Sequence, residues 1–455
     1  MKKTLFALLF LLPVMAHAQI INTVVGNGFG SPWYGGGFSG DNGYAISAEL
    51  FWPTAVALDT AGNMYIADYG NMRVRKVTPS GIITTIAGSG AYGYGGDHAA
   101  ATNAQLQTPT GVAVDKKGNV YISDAACNCI RRVDAAGIIT TIAGSGAYGY
   151  GYYDGDSGLS VMAHLYAPWG IAVDDTGTIF FADQGNNRIR RIDTAGVIVT
   201  IAGSGNTVYG GDHLHADSAA LSTPYAVAVD KHGNLFFTDY GNERIRKVDT
   251  ARIITTIAGN GIATYNGDNI PADSASISEP TGLAVDDSGN VFISDMNNNR
   301  IRMVSASGII TTIAGSDIRG FSGDGGLATN GELNDPYGLA VNNRGNIFVA
   351  DRFNNRIRII GLGTADVHNI TAVSGDIEIY PNPATTQLTV RSTNQPINLL
   401  TVTNLLGQTV RSSHGSTPLT MTTTSQSQII DIADLPSGIY FVKVNNTVVR
   451  KFVKE

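Results

Sequence analysis

Residues Pro280–Gly315 read PTGLAVDDSGNVFISDMNNNRIRMVSASGIITTIAG. Four apolar runs stand out: GLAVD, NVFISD, RIRMVS and GIITTIAG. Each has the length of a strand, is rich in Val, Ile and Phe, and is bounded by Gly, Asn, Asp or Ser. The links Asp287–Asn290 and Ser305–Gly308 are short enough for antiparallel hairpins. The stretch therefore predicts a four-stranded meander.

The meander repeats. Its opening proline recurs as Pro53, Pro109, Pro168, Pro224, Pro280 and Pro336, at intervals of 56, 59, 56, 56 and 56 residues. A period near 50 built of short strands predicts propeller blades, since a helical solenoid carries 3.6-residue patterning. Second strands end at Asp68, Asp124, Asp183, Asp239, Asp295 and Asp351, and third strands carry Arg75, Arg131, Arg190, Arg246, Arg302 and Arg358. The sixth unit stops after its third strand. Ile20–Val25, IINTVV, has the look of a fourth strand with no unit before it. Lending it to the sixth unit pairs both open edges. The expected fold is thus all-β, a six-bladed β-propeller closed by the N-terminal strand.

First strands alternate a small face (Gly111 and Ala113, Gly282 and Ala284) with a bulky one (Val112 and Val114, Leu283 and Val285). Side chains alternate across a strand, so bulky and small faces of neighbouring blades should form the core. The patterns P-x-G-[LIV]-A-V-D, G-N-[LIV]-[YF] and D-x-x-N-x-R-[IV]-R resemble the NHL repeat, whose members form six-bladed β-propellers. The resemblance spans residues 20–361. Relatives include RNA-binding and protein-binding modules, lyases and lactonases, so the likeness carries the fold and leaves the activity open.

Residues 1–18 have the form of an export signal: Lys2 and Lys3, an apolar run over Phe6–Leu12, and Ala16-His17-Ala18 as cleavage site. No later stretch reaches the ~20 apolar residues of a membrane-spanning helix. The propeller is expected over 19–361, a linker over 362–375 and a small Ig-like β-sandwich over 376–455. Tyr380-Pro381-Asn382-Pro383, Leu406-Gly407, Leu435–Tyr440 and the basic Lys451–Lys454 segment resemble the C-terminal sorting domain of the type IX secretion system. That likeness implies a partnership of 376–455 with the type IX machinery. It further implies removal of the domain during release or attachment, leaving the protein extracellular or on the outer cell surface.

A formal charge of −7 with 15% charged residues argues against nucleic acid as partner, because such surfaces concentrate Lys and Arg. The connection between units carries aromatic-x-Gly-Asp, ending at Asp41, Asp97, Asp156, Asp212, Asp268 and Asp324, each 12 residues before its proline. Uniform recurrence predicts a structural role, the aromatic and a following Leu plugging the blade and the Asp capping a turn or short helix. The Asp-x-x-Asn-x-Arg element at the second hairpin is read likewise, its ion pair contributing ~0–1 kcal/mol where exposed.

Departures from the repeat are the candidate sites. Cys127 and Cys129, the two cysteines, stand where other units have Asn and Arg. Residues two apart on a strand share a face with Cα atoms at most ~6.8 Å apart, so a tight disulfide and a free pair both remain open. No metal site is expected, since two thiols without a histidine are an incomplete ligand set. Trp169, Tyr225 and Tyr337 replace Thr after the proline, and the long loops carry Trp33, Tyr34, Tyr150 and Tyr152. These aromatics suit a glycan or protein surface, and equally seam packing. No catalytic set is found: the histidines avoid first strands and no G-x-S-x-G elbow occurs. No cofactor is expected, although Asp154–Gly158 is faintly similar to a calcium loop that lacks its later Glu. Two functions remain: a binding scaffold for glycan or protein on the long-loop face, or an exported lyase or lactonase acting on carbohydrate at the channel mouth. Binding is favoured, because what recurs is structural and what varies is aromatic.

Overall fold

The computed structural model describes residues 19–30, 36–144 and 153–362, and in the C-terminal part 377–381, 383–392, 397, 400–404, 409–412, 427–444 and 448–454. The export signal, Trp33, Tyr34, Tyr150, Tyr152, the linker beyond Leu362, Asn382, Leu406 and Gly407 lie outside the described residues. The chain forms antiparallel sheets joined by short 3-10 turns, with no α-helix among the described residues.

Six sheets each hold a four-strand antiparallel run, and three of them add a two-residue strand at the outer edge, Ala99–Ala100, Ile270–Pro271 and Gly326–Leu327. Their first strands are Pro53–Leu58, Pro109–Val114, Pro168–Val173, Pro224–Val229, Pro280–Val285 and Pro336–Val341. The sixth sheet has three strands of its own and then Gln19–Val25, with Ile21 opposite Ile360 and Thr23 opposite Arg358. Each first strand packs against the next, and Pro336–Val341 packs against Pro53–Leu58. The small face of these strands is a steric requirement: a Cβ on Gly282 would collide with the Tyr337 carbonyl, and one on Gly111 with that of Trp169. Apolar residues meet at each seam, such as Ile189 and Ala202 with Val227 and Phe237, or Val56 and Ile66 with Phe348 and Ile357. Two further sheets, of three and four strands, enclose a separate core that includes Leu388, Val402, Val442 and Phe452.

The aspartates expected as caps do something else. The side chains of Arg75, Arg131, Arg190, Arg246, Arg302 and Arg358 are fully buried. Arg246 holds Asp212 at 2.7 Å and Asp239 at 3.0 Å. Arg75, Arg190, Arg302 and Arg358 repeat this with Asp41 and Asp68, Asp156 and Asp183, Asp268 and Asp295, and Asp324 and Asp351. Arg131 pairs with Asp97 at 2.6 Å. The following 3-10 turns receive no side-chain cap.

The aromatics expected as plugs also differ, being 37–40% exposed and lying over guanidinium groups. Tyr209 stacks on Arg244 at 3.7 Å and on Arg246 at 5.1 Å. Leu50, Leu106 and Leu221 are the plugs, each fully buried. The ion pair read as potentially exposed therefore sits under an aromatic lid, where deleting one partner strands a desolvated charge.

Arg246→Met is expected to cost about 3–5 kcal/mol of unfolding free energy, while Arg244→Ala, which removes one stacking contact and the hydrogen bonds to the Asn242 and Asn260 carbonyls, costs about 1–2 kcal/mol. Urea denaturation of both variants checks this ordering.

Candidate functional site

Pro53 pairs with Asp68, and each later unit repeats that register. The long connections and the second hairpin turns therefore share one edge of the sheets, and at its centre the first strands begin. Before five of the six prolines, Trp52, Ala167, Thr223, Glu279 and Asp335 hold φ between 44° and 53°. Non-glycine residues in this region are uncommon and persist where surroundings fix them. Here an amide oxygen of the neighbouring unit fixes them. The N–H groups of Trp52, Ala167 and Thr223 donate to Asn355, Asn128 and Asn187 Oδ1 at 2.8–2.9 Å.

One seam uses a carboxylate in that place. Glu279 N–H donates to Glu243 Oε2 at 2.6 Å. Glu243 is half-buried, and burial, reinforced by the charges of Glu279 and Asp295, pushes its carboxyl up to about 7. Burial, with a hydrogen bond to Glu279, also raises the Tyr240 phenol. Asp335, at the next seam, is raised by burial against the pull of Arg319, 3.1 Å away.

The aromatics that depart from the repeat meet beside these acids. Trp169 lies 4.7 Å from Tyr225 and 6.4 Å from Tyr337, centroid to centroid, and Tyr225 lies 4.6 Å from Tyr240. Trp169 and Tyr225 are half-buried; Tyr337 is 5% exposed and serves as their packing partner. Arg352 stacks on Tyr337 at 4.9 Å. At the other three units Thr54, Thr110 and Thr281 donate to the carbonyls of Pro109, Pro168 and Pro336, bracing the next strand. The axial cavity these residues line is only about 60 Å³, so a ligand larger than a few waters must sit on the mouth. A cavity of about 290 Å³ at the opposite edge is lined by solvent-screened groups such as Lys116 and Asp175.

Sequence reading missed Glu243, Glu279 and Asp335. It also missed exposed apolar side chains in the connections, Phe29, Tyr92, Val208, Ile262 and Ile318, each 57–81% accessible. The signal for Glu243 was available, since four other units place Asn immediately before the third strand: Asn128, Asn187, Asn299 and Asn355.

Elsewhere, the bridge left open between Cys127 and Cys129 is not formed; both thiols are free and buried. Cys127 ends a 3-10 turn, Cys129 begins a strand, and Asn128 between them is left-handed, so the two do not share one strand face. Of the faint calcium likeness, Asp154 accepts from His164 and Asp156 pairs with Arg190.

Residues 333–360 match the NHL repeat and residues 92–150, 152–210 and 263–322 match the teneurin NHL domain. Residues 378–455 match the secretion system C-terminal sorting domain, which marks the chain for export by type IX secretion to the cell surface or extracellular space. No helix among the described residues is long and apolar enough to cross a membrane. Mouse teneurin-4 is 29% identical over 355 residues, covering 70% of this chain and 12% of that protein, so the chain spans a small part of such relatives. An auxiliary nutrient binding protein of Bacteroides thetaiotaomicron is similar in fold, with TM-score 0.55 and 14% identity over 75% of this chain and 76% of that one. A second, from Bacteroides ovatus, has TM-score 0.54 and 13% identity over 76% and 77%.

Glu243 holds its proton more tightly in the fold than the ordinary value of 4.5 implies for the unfolded chain. Its contribution thus favours the fold below about pH 4.5 and is lost as pH rises through about 7. Thermal melts from pH 4 to 8 should show Glu243→Gln gaining on wild type towards high pH, by on the order of 1 kcal/mol after solvent screening.

Proposed function

We propose that this NHL-repeat chain, addressed by its sorting domain for type IX export, binds a glycan at the mouth of a six-bladed propeller. In this reading Gln19–Val25 closes the ring, residues 1–18 are the export signal and 19–361 the propeller. Residues 362–375 are the linker, and 376–455, an Ig-like sandwich, engage the secretion machinery. The observation that carries the binding assignment is the half-buried Trp169–Tyr225 pair beside Glu243 and Glu279. Flat apolar rings bind the C–H faces of a sugar while neighbouring carboxylates accept from its hydroxyls. The narrow channel favours a chain lying across the mouth. The similar nutrient-binding structures support the fold alone at their low identity.

A second reading, a carbohydrate-acting lyase or lactonase, rests on one feature. Glu243, pushed up to about 7, has the proton affinity that general acid–base work requires. Glu279 and Tyr240 stand near it, but Glu243 Oε2 is already taken by the Glu279 N–H, so binding is preferred.

On a glycan array the exported protein should retain specific sugars without turnover. Trp169→Ala should weaken retention by roughly tenfold. Turnover that Glu243→Gln abolishes would establish the enzyme instead, and a blank array would remove the glycan.

A further inference from the structure

In the first, third, fourth and fifth units an asparagine amide donates to the buried aspartate that ends the second strand, as Asn71 does to Asp68 at 2.9 Å. The sixth unit does the same through Asn354 and Asp351 at 2.8 Å. Arginine Nη1 supplies the compensating charge in each of these five. The second unit breaks the pattern. Cys127 occupies the asparagine position and Cys129 the first arginine position, while Arg131 keeps the connection aspartate Asp97, as the other units do, without an ion pair to Asp124. Asp124 accepts the Gln107 and Thr108 N–H groups at 2.8–3.1 Å. A carboxylate offers about four lone-pair directions, so capacity remains. Its donor atom and the two Sγ atoms all lie within 4.8 Å of one another, and all three residues are buried.

We propose that Asp124, Cys127 and Cys129 form a binding site for a soft monovalent d10 cation, Cu(I) or Ag(I). Thiolate selects soft ions over the hard cations that oxygen ligands prefer. Burial decides among soft ions. Structural zinc takes four ligands, and this closed site offers three. A monovalent d10 ion is satisfied by two thiolates, with the carboxylate as a third contact. Binding forms two metal–sulfur bonds and releases two thiol protons to solvent, with no electron transferred. In this unit the cation takes the place beside the buried carboxylate that the asparagine amide donor holds elsewhere. Access runs through the connection at Gly93, whose carbonyl lies 3.6 Å from Cys127 Sγ and whose neighbours Ala91, Tyr92 and Tyr94 are exposed.

The test is native mass spectrometry of the purified, reduced full chain titrated anaerobically with Ag(I), Cu(I) or Zn(II). The chain has two cysteines in all, so no other thiol competes. One equivalent of Ag(I) or Cu(I) is expected, together with loss of alkylation at both thiols. Zn(II) should be retained at least a hundredfold more weakly. The double variant Cys127→Asn, Cys129→Arg restores the residues of the other units, so it should fold and bind no equivalent. Equal silver binding by that variant, no uptake by wild type, or preferential zinc retention would each overturn the assignment. A disulfide that forms in air and resists reduction in the folded chain would overturn it as well.

Discussion

A guanidinium withdrawn from water needs its charge met on every side, and five units of this chain meet it with two carboxylates from opposite directions. Arg75 reaches Asp68, seven residues before it, and Asp41, 34 residues before it. The near partner belongs to its own hairpin and the far one to the preceding connection. Each cluster thereby stitches a long connection to the sheet that follows. The near aspartate also holds that connection's last turn, taking the Phe51 N–H at 2.8 Å in the first unit. Burial drives Asp68 up to about 6 despite the pull of Arg75, which reflects the desolvation the cluster must offset. Breaking it is costly for that reason, even where its net contribution is small.

With the frame held by repeated polar clusters and seam-packed apolar faces, single positions are free to change without loss of the fold. The departures concentrate where first strands begin. Aromatics replace threonine at Trp169, Tyr225 and Tyr337, and acids enter at Glu243, Glu279 and Asp335. Threonine at the other three units keeps bracing the adjacent strand. The constant threonines brace the seams, and the departures from them gather the aromatic and acidic side chains.

The period and the strands were legible because each strand has local apolar alternation and each turn its local residues. What the repeat could not reveal is which constant residues face one another. Asp41 and Arg75 recur at fixed spacing, yet spacing alone fits a capping aspartate as well as an ion pair. The aromatic of each connection reads as a plug until its guanidinium neighbour is placed. Cys127 and Cys129 look like partners on one strand, but a left-handed Asn128 separates a turn from a strand. Glu243 hid among turn residues whose seam-bridging role becomes visible only in three dimensions.

Hydrogen exchange of the Phe51, Tyr166, Ser222, Ser278 and Asn334 amides tests the central claim most directly. Each donates to a buried aspartate at 2.7–2.8 Å although it lies in a connection. If the clusters pin the connections, these amides exchange as slowly as those of the central strands, opening only with the whole fold. Exchange as fast as at the exposed tips near Val208 and Ile262 would contradict it.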